Sequence, residues 1–165
     1  MKIKRAALAA ALAALVGAAP AWAGDLAGAK AFVAWLYSHY PPQVRRDSFD
    51  VFGAQSTRIF HASLLDLIRQ DDKAGDDQAP DLYGDPLCDC QNTFGMSFAV
   101  RSVRAGEFGR ASATVVRRGE GSDDETITLD LALTGDGWRV YDVGTRDTPS
   151  LRAFLIDSTQ AWKGR

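Results

Sequence analysis

The spacing of hydrophobic positions changes near the middle of the chain. From Asp25, the residues Ala31, Phe32, Trp35, Leu36 and Tyr40 recur three and four apart, which predicts an amphipathic helix with Asp25 as its N-cap. Pro41 and Pro42 stop it, because proline cannot continue the hydrogen-bond ladder. Ser56 to Asp72 repeats the pattern through Ile59, Phe60, Leu64, Leu67 and Ile68. Ser63 offers a second cap if this helix breaks near His61. Beyond Asp85 the period becomes two. Phe94, Met96, Phe98 and Val100 alternate with small or polar residues, as do Ala111, Ala113 and Val115, then Ile127, Leu129, Leu131 and Leu133, then Trp138, Val140 and Asp142. Short polar links join these runs, so the four strands form an antiparallel meander; parallel pairs would need long crossovers. Ser150 caps a short last helix carrying Leu151, Phe154, Leu155 and Trp162. The expected fold is α+β: N-terminal helices covering one face of a curved four-stranded antiparallel sheet, with a short C-terminal helix.

Residues 1–23 add a compartment. Lys2, Lys4 and Arg5 precede an apolar run from Ala6 to Ala19, and Ala21-Trp22-Ala23 is a small-x-small cleavage site. This reads as a secretory signal, which leaves residues 24–165 as one exported, periplasmic domain without a membrane span. Losing the signal leaves 16 basic against 21 acidic residues. With no basic stripe, nucleic acid is an unsuitable partner. Export also places Cys88 and Cys90, the only cysteines, where disulfides persist.

These cysteines sit in Asp85-Pro86-Leu87-Cys88-Asp89-Cys90-Gln91, at the boundary between the helical and the strand-rich halves. Residues two apart in an extended segment point the same way, and a bent Cys-x-Cys can close a bridge. Three readings follow: a local staple, a redox-active pair, or two thiols holding a soft metal. A metal would need further ligands, and the only histidines are His39 and His61. The redox reading lacks the Cys-x-x-Cys spacing. The staple is the reading taken forward, with neither metal nor cofactor. Asp71, Asp72, Asp76 and Asp77 form an acidic run without the order of a calcium loop, and it reads as solvated surface. Arg101, Arg104, Arg117 and Arg118 lie near strand ends and read as edge charges.

Phe32-x-x-Trp35-Leu36-Tyr37-x-x-Tyr40, Phe60-x-x-Ser63-Leu64, the Asp-Pro-x-Cys-x-Cys-Gln string and Trp138-Arg139-Val140-Tyr141-Asp142-Val143 give the chain a resemblance to a known group. It resembles the domain of unknown function 3828 family of exported bacterial proteins, and more broadly the nuclear-transport-factor-2-like cone. The resemblance implies a fold and an export route but no reaction. A pocket between helices and sheet would be lined by Phe32, Trp35, Tyr37, Tyr40, Phe60, Phe98, Trp138 and Asp142. The function expected is a non-catalytic binding module for a protein or small ligand. Two alternatives stand beside it: an enzyme, either an acid–base catalyst on Asp142 with Tyr37, Tyr40 or His39 or a thiol–disulfide protein on Cys88 and Cys90, and an immunity-type inhibitor of a periplasmic toxin. Cone domains also pair through the outer sheet face, so a homodimer is a further expectation.

Overall fold

The computed structural model describes residues 22–40, 50–74, 82, 84–91, 93, 95–119 and 124–163. Its elements, in order, are α1 (Trp22–Ser38), α2 (Ser56–Ile59), α3 (Ala62–Ala74), β1 (Ser97–Ala105), β2 (Arg110–Arg118), β3 (Glu125–Thr134), β4 (Gly137–Gly144) and α4 (Leu151–Lys163). The strands form one antiparallel sheet in the order β1-β2-β3-β4. This is the α+β arrangement that the change of period predicts. α1 lies across the sheet against β1, β2 and β4, while α3 and α4 pack on each other beside β4. Val33, Leu36, Leu64, Ile127, Leu129, Leu131, Val140 and Leu155 meet between these layers and are wholly buried. No helix among the described residues is long and apolar enough to cross a membrane.

Several details depart from the sequence pattern. α1 begins at Trp22, so Asp25 lies within the helix instead of capping it. The second predicted helix is two helices. Phe60 is extended (φ −97°, ψ 144°) and bridges Val140 in parallel, and the His61 amide donates to the Val140 carbonyl at 2.8 Å. That short pairing covers the outer edge of β4 and prevents helix at this point. Within β4, Asp142 pairs with Asp130 but Val140 pairs with Leu131, so Tyr141 is an extra residue, a β-bulge. The bulge resets the alternation, so the buried positions are Trp138, Val140 and Val143. Asp142 is thereby taken out of the buried row in which strict alternation places it.

A second bulge lies at Arg101 in β1. The solvent-facing rows of the inner strands, Ser112, Thr114 and Val116 beside Thr126, Thr128 and Asp130, are mostly hydroxylated. A homodimer formed through this face would bury little apolar surface. At the β1–β2 turn, Phe108 (φ 52°) and Gly109 (φ 71°) both adopt left-handed backbone, and Phe108 is 94 % exposed. Phe94 and Asp76–Asp77, named in the sequence reading, lie outside the described residues.

Candidate functional site

The turn at 85–90 is built from its own sequence and then locked from outside. Pro86 cannot donate, so the chain reverses through Cys88 and Cys90 instead. The Asp85 amide donates to the Cys90 carbonyl at 3.0 Å, and the Cys88 amide donates to the Asp85 carbonyl at 3.2 Å. Asp89 takes the left-handed conformation needed at the apex (φ 48°), and Asp is among the residues that tolerate it. A side chain at Gly84 would place its Cβ 2.7 Å from the Cys90 carbonyl oxygen, so only glycine allows the two arms to close. Cys88 and Cys90 are joined in a disulfide with their α-carbons 5.1 Å apart.

Three groups hold this turn. The Asp85 carboxylate is 1 % exposed; Oδ1 accepts the Leu87 amide at 2.9 Å, and Oδ2 accepts the Tyr40 hydroxyl at 2.6 Å. The Tyr37 hydroxyl donates to the Leu87 carbonyl at 2.8 Å. Burial raises the Tyr37 ionisation well above the usual tyrosine range, and the neighbouring Asp85 charge adds to the shift. From β2, the Arg117 guanidinium donates to the Cys88 carbonyl at 2.8 Å and to the Asp89 carbonyl, and pairs with Glu125 on β3. Thus Arg117, read from sequence as an edge charge, is a clamp between the sheet and the disulfide turn. Nothing local in the sequence marks it, because its partners lie 28 and 29 residues away.

In front of the turn lies a cleft of about 330 Å³. One wall is Gly84, Asp85, Pro86, Asp89, Cys90 and Gln91. The facing wall is Val143, Thr145, Thr148, Leu151 and Phe154, from the end of β4, the following loop and the start of α4, with Leu82 at the side. That loop is also tied down: the Thr145 amide donates to the Thr148 carbonyl at 2.8 Å, and the Thr148 amide donates to the Thr145 hydroxyl at 3.1 Å. Phe154 is 40 % exposed, unlike the core residue expected from periodicity, because it turns to the cleft while Leu151 and Leu155 face inward. The chemistry on offer is apolar surface from Val143, Leu151 and Phe154, one half-buried sulfur from Cys90, the exposed Asp89 carboxylate, and hydroxyl and amide groups.

The eight pocket residues expected from sequence do not converge. Phe32, Trp35 and Trp138 border a separate groove of about 320 Å³ at the other end of β4. Tyr37, Tyr40 and Phe98 form a cluster with ring centroids 5.2–5.6 Å apart, which supports the disulfide turn from behind. Phe60 is core, 1 % exposed. Asp142 starts α4: Oδ2 accepts the Ser150 hydroxyl at 2.6 Å, and Oδ1 accepts the Val143 and Arg152 amides at 2.9 and 3.0 Å. Ser150 completes the cap by accepting the Ala153 amide at 3.1 Å.

The proton-transfer group expected around Asp142 is therefore dispersed, with Tyr37 and Tyr40 bonded at the disulfide turn and His39 bonded to the Trp35 carbonyl at 2.8 Å. His61 lies beside Ser63 at 2.9 Å and edge-on to Tyr141, away from the cysteines' turn. Asp71 is buried and accepts the Leu82 amide at 3.0 Å, which ties α3 to the side of the cleft.

No family model and no curated protein matches the chain. A solved structure similar to it is the phospholipid-binding protein from Ralstonia solanacearum in complex with a phospholipid, at 12% identity over 81% of this chain and 84% of that one, with a TM-score of 0.43. A likeness at that score is too loose to transfer any chemistry to this site.

Proposed function

We propose that this protein is an exported, non-catalytic binding domain, related to the domain of unknown function 3828 proteins, that takes a small organic ligand in the cleft beside the Cys88–Cys90 bridge. The observation that carries this is the rigidity of the cleft's back wall. Asp85, Tyr37 and Arg117 hold the turn by buried or half-buried hydrogen bonds, so the cleft exists before any ligand arrives. A preformed cleft binds without first losing the conformational entropy of ordering its own wall. Apolar side chains beside a few fixed polar groups match what small-molecule sites require. A staple role for the bridge also fits, since Cys88 is wholly buried and its turn is fastened on three sides.

Export is supported by the pattern of residues 1–23, and processing would leave a chain starting at Gly24. The binding test is amide-shift mapping of the processed protein during titration with the small-molecule fraction of a periplasmic extract. Shifts should concentrate at residues 84–91 and 143–154 and vanish in Thr148→Trp, whose indole fills the space. Shifts that persist unchanged in Thr148→Trp, or that gather elsewhere, contradict the assignment.

A further inference from the structure

The groove at the far end of β4 carries a different chemistry. Phe32 and Trp35 of α1 supply one wall, with ring centroids 5.9 Å apart, and Trp138 supplies the floor. Two arginines border the same space of about 320 Å³. The Arg58 guanidinium lies 5.3 Å from the centre of the Trp35 ring, and Nη1 donates to the Gln55 side chain at 3.3 Å. Arg139 donates from Nε to the Thr57 carbonyl at 2.8 Å and from Nη1 to the Asp136 and Trp138 carbonyls. Among the described residues neither arginine has a carboxylate partner, whereas Arg110, Arg117 and Arg118 each do. Asp136 is at the rim, but its carboxylate pairs with neither guanidinium.

Arg139 is fixed by backbone carbonyls and Arg58 by a ring face, and among the described residues neither Nη2 makes a hydrogen bond. A fixed guanidinium fork is suited to a planar or tetrahedral oxyanion, and the adjoining rings to a flat apolar body. We propose that this groove is a second binding site, for organic anions that carry an aromatic ring, with Arg58 and Arg139 receiving the acid group and Phe32, Trp35 and Trp138 the ring. It lies roughly 15 Å along β4 from the disulfide cleft, at about 3.3 Å per strand residue, so the two sites can be tested apart.

The probe is anilinonaphthalene sulfonate, an aromatic sulfonate whose fluorescence rises in apolar surroundings, compared with the uncharged phenylnaphthylamine. The sulfonate should bind saturably to the processed protein and weaken as salt is raised. Binding should fall about tenfold in Arg58→Gln, the loss expected on removing one charge-assisted contact, and by a similar factor in Arg139→Gln. Thr148→Trp, in the disulfide cleft, should leave it unchanged, and phenylnaphthylamine should not distinguish Arg58→Gln from wild type. Among the described residues Arg58 hydrogen-bonds a neighbouring glutamine side chain and holds no backbone carbonyl, unlike Arg139, so Arg58→Gln reads the site even if Arg139→Gln does not fold. Equal sulfonate affinity in wild type and Arg58→Gln, loss of binding in Thr148→Trp, or no saturable binding at all would overturn the assignment.

Discussion

Replacing Asp85 by alanine should unfold the back wall of the cleft more readily than any other single change in it. The substitution removes the acceptor for two buried donors, the Leu87 amide and the Tyr40 hydroxyl, both bonded at under 3 Å. Losing its acceptor costs each buried donor about 1–3 kcal/mol, so the pair predicts a loss of roughly 3–5 kcal/mol, with part recovered because a buried carboxylate is no longer desolvated. In a domain of this length that is a fall in melting temperature of roughly 10 °C. Asp85→Asn gives the contrast. Its amide oxygen still accepts from Leu87, and the Tyr40 hydroxyl can reverse and accept from the amide nitrogen, so the loss should be nearer 1 kcal/mol. Urea unfolding of both variants with the disulfide intact reads these values directly, and amide exchange at Leu87 and Cys90 locates the change. If Asp85→Ala loses less than about 1 kcal/mol, the turn is not held by this carboxylate and the preformed wall is refuted.

Other consequences are more local. Bridging Cys88 to Cys90 closes a ring of only a few residues, so Cys88→Ser with Cys90→Ser should cost roughly 1–2 kcal/mol in denaturant unfolding and leave the circular dichroism spectrum unchanged; collapse of the fold would show that the bridge is more than a staple. Asp142→Ala should lose about 1–2 kcal/mol and fray the first turn of α4 in amide exchange, as expected of a cap; unchanged exchange at Arg152 and Ala153 would refute that role. Tyr37 keeps its proton in the folded state at a pH where the unfolded chain releases it. Stability should therefore be constant up to the ordinary tyrosine value of about 10 and fall above it, and Tyr37→Phe should flatten that alkaline limb; an unchanged limb would assign it to other groups.

The helices and strands were readable because each buries one face, and burial on one face writes a period into the sequence. Ala111, Ala113 and Val115 alternate in the chain and are buried in the sheet; Leu151 and Leu155 repeat along α4 in the same way. Where pairing overrode local preference, the period misled. Phe60 fits the helical stripe, yet the open edge of β4 draws it into an extended bridge. Asp142 continues the alternation of Trp138 and Val140, yet the extra residue Tyr141 turns it toward α4. The disulfide turn was visible as a string of proline, aspartates and cysteines. What positions it was not, since Tyr37, Tyr40 and Arg117 come from 28 to 50 residues away and look locally like a helix stripe and a charged strand end. The expected aromatic pocket combined residues that share a composition but not a place: three border the arginine groove, three support the turn, Phe60 fills the core and Asp142 caps α4.

Occupation of the cleft beside the disulfide by a small molecule is the central claim. Its most direct test is the mass of the protein purified from its producing cells, measured under native and then denaturing conditions. The denatured mass should be that of a chain starting at Gly24, less the hydrogens lost in bridging Cys88 to Cys90. The native mass should be heavier, by a small molecule released on unfolding and absent from Thr148→Trp. A native mass equal to the denatured one, or a bound molecule retained in Thr148→Trp, would contradict the assignment of the cleft as the binding site.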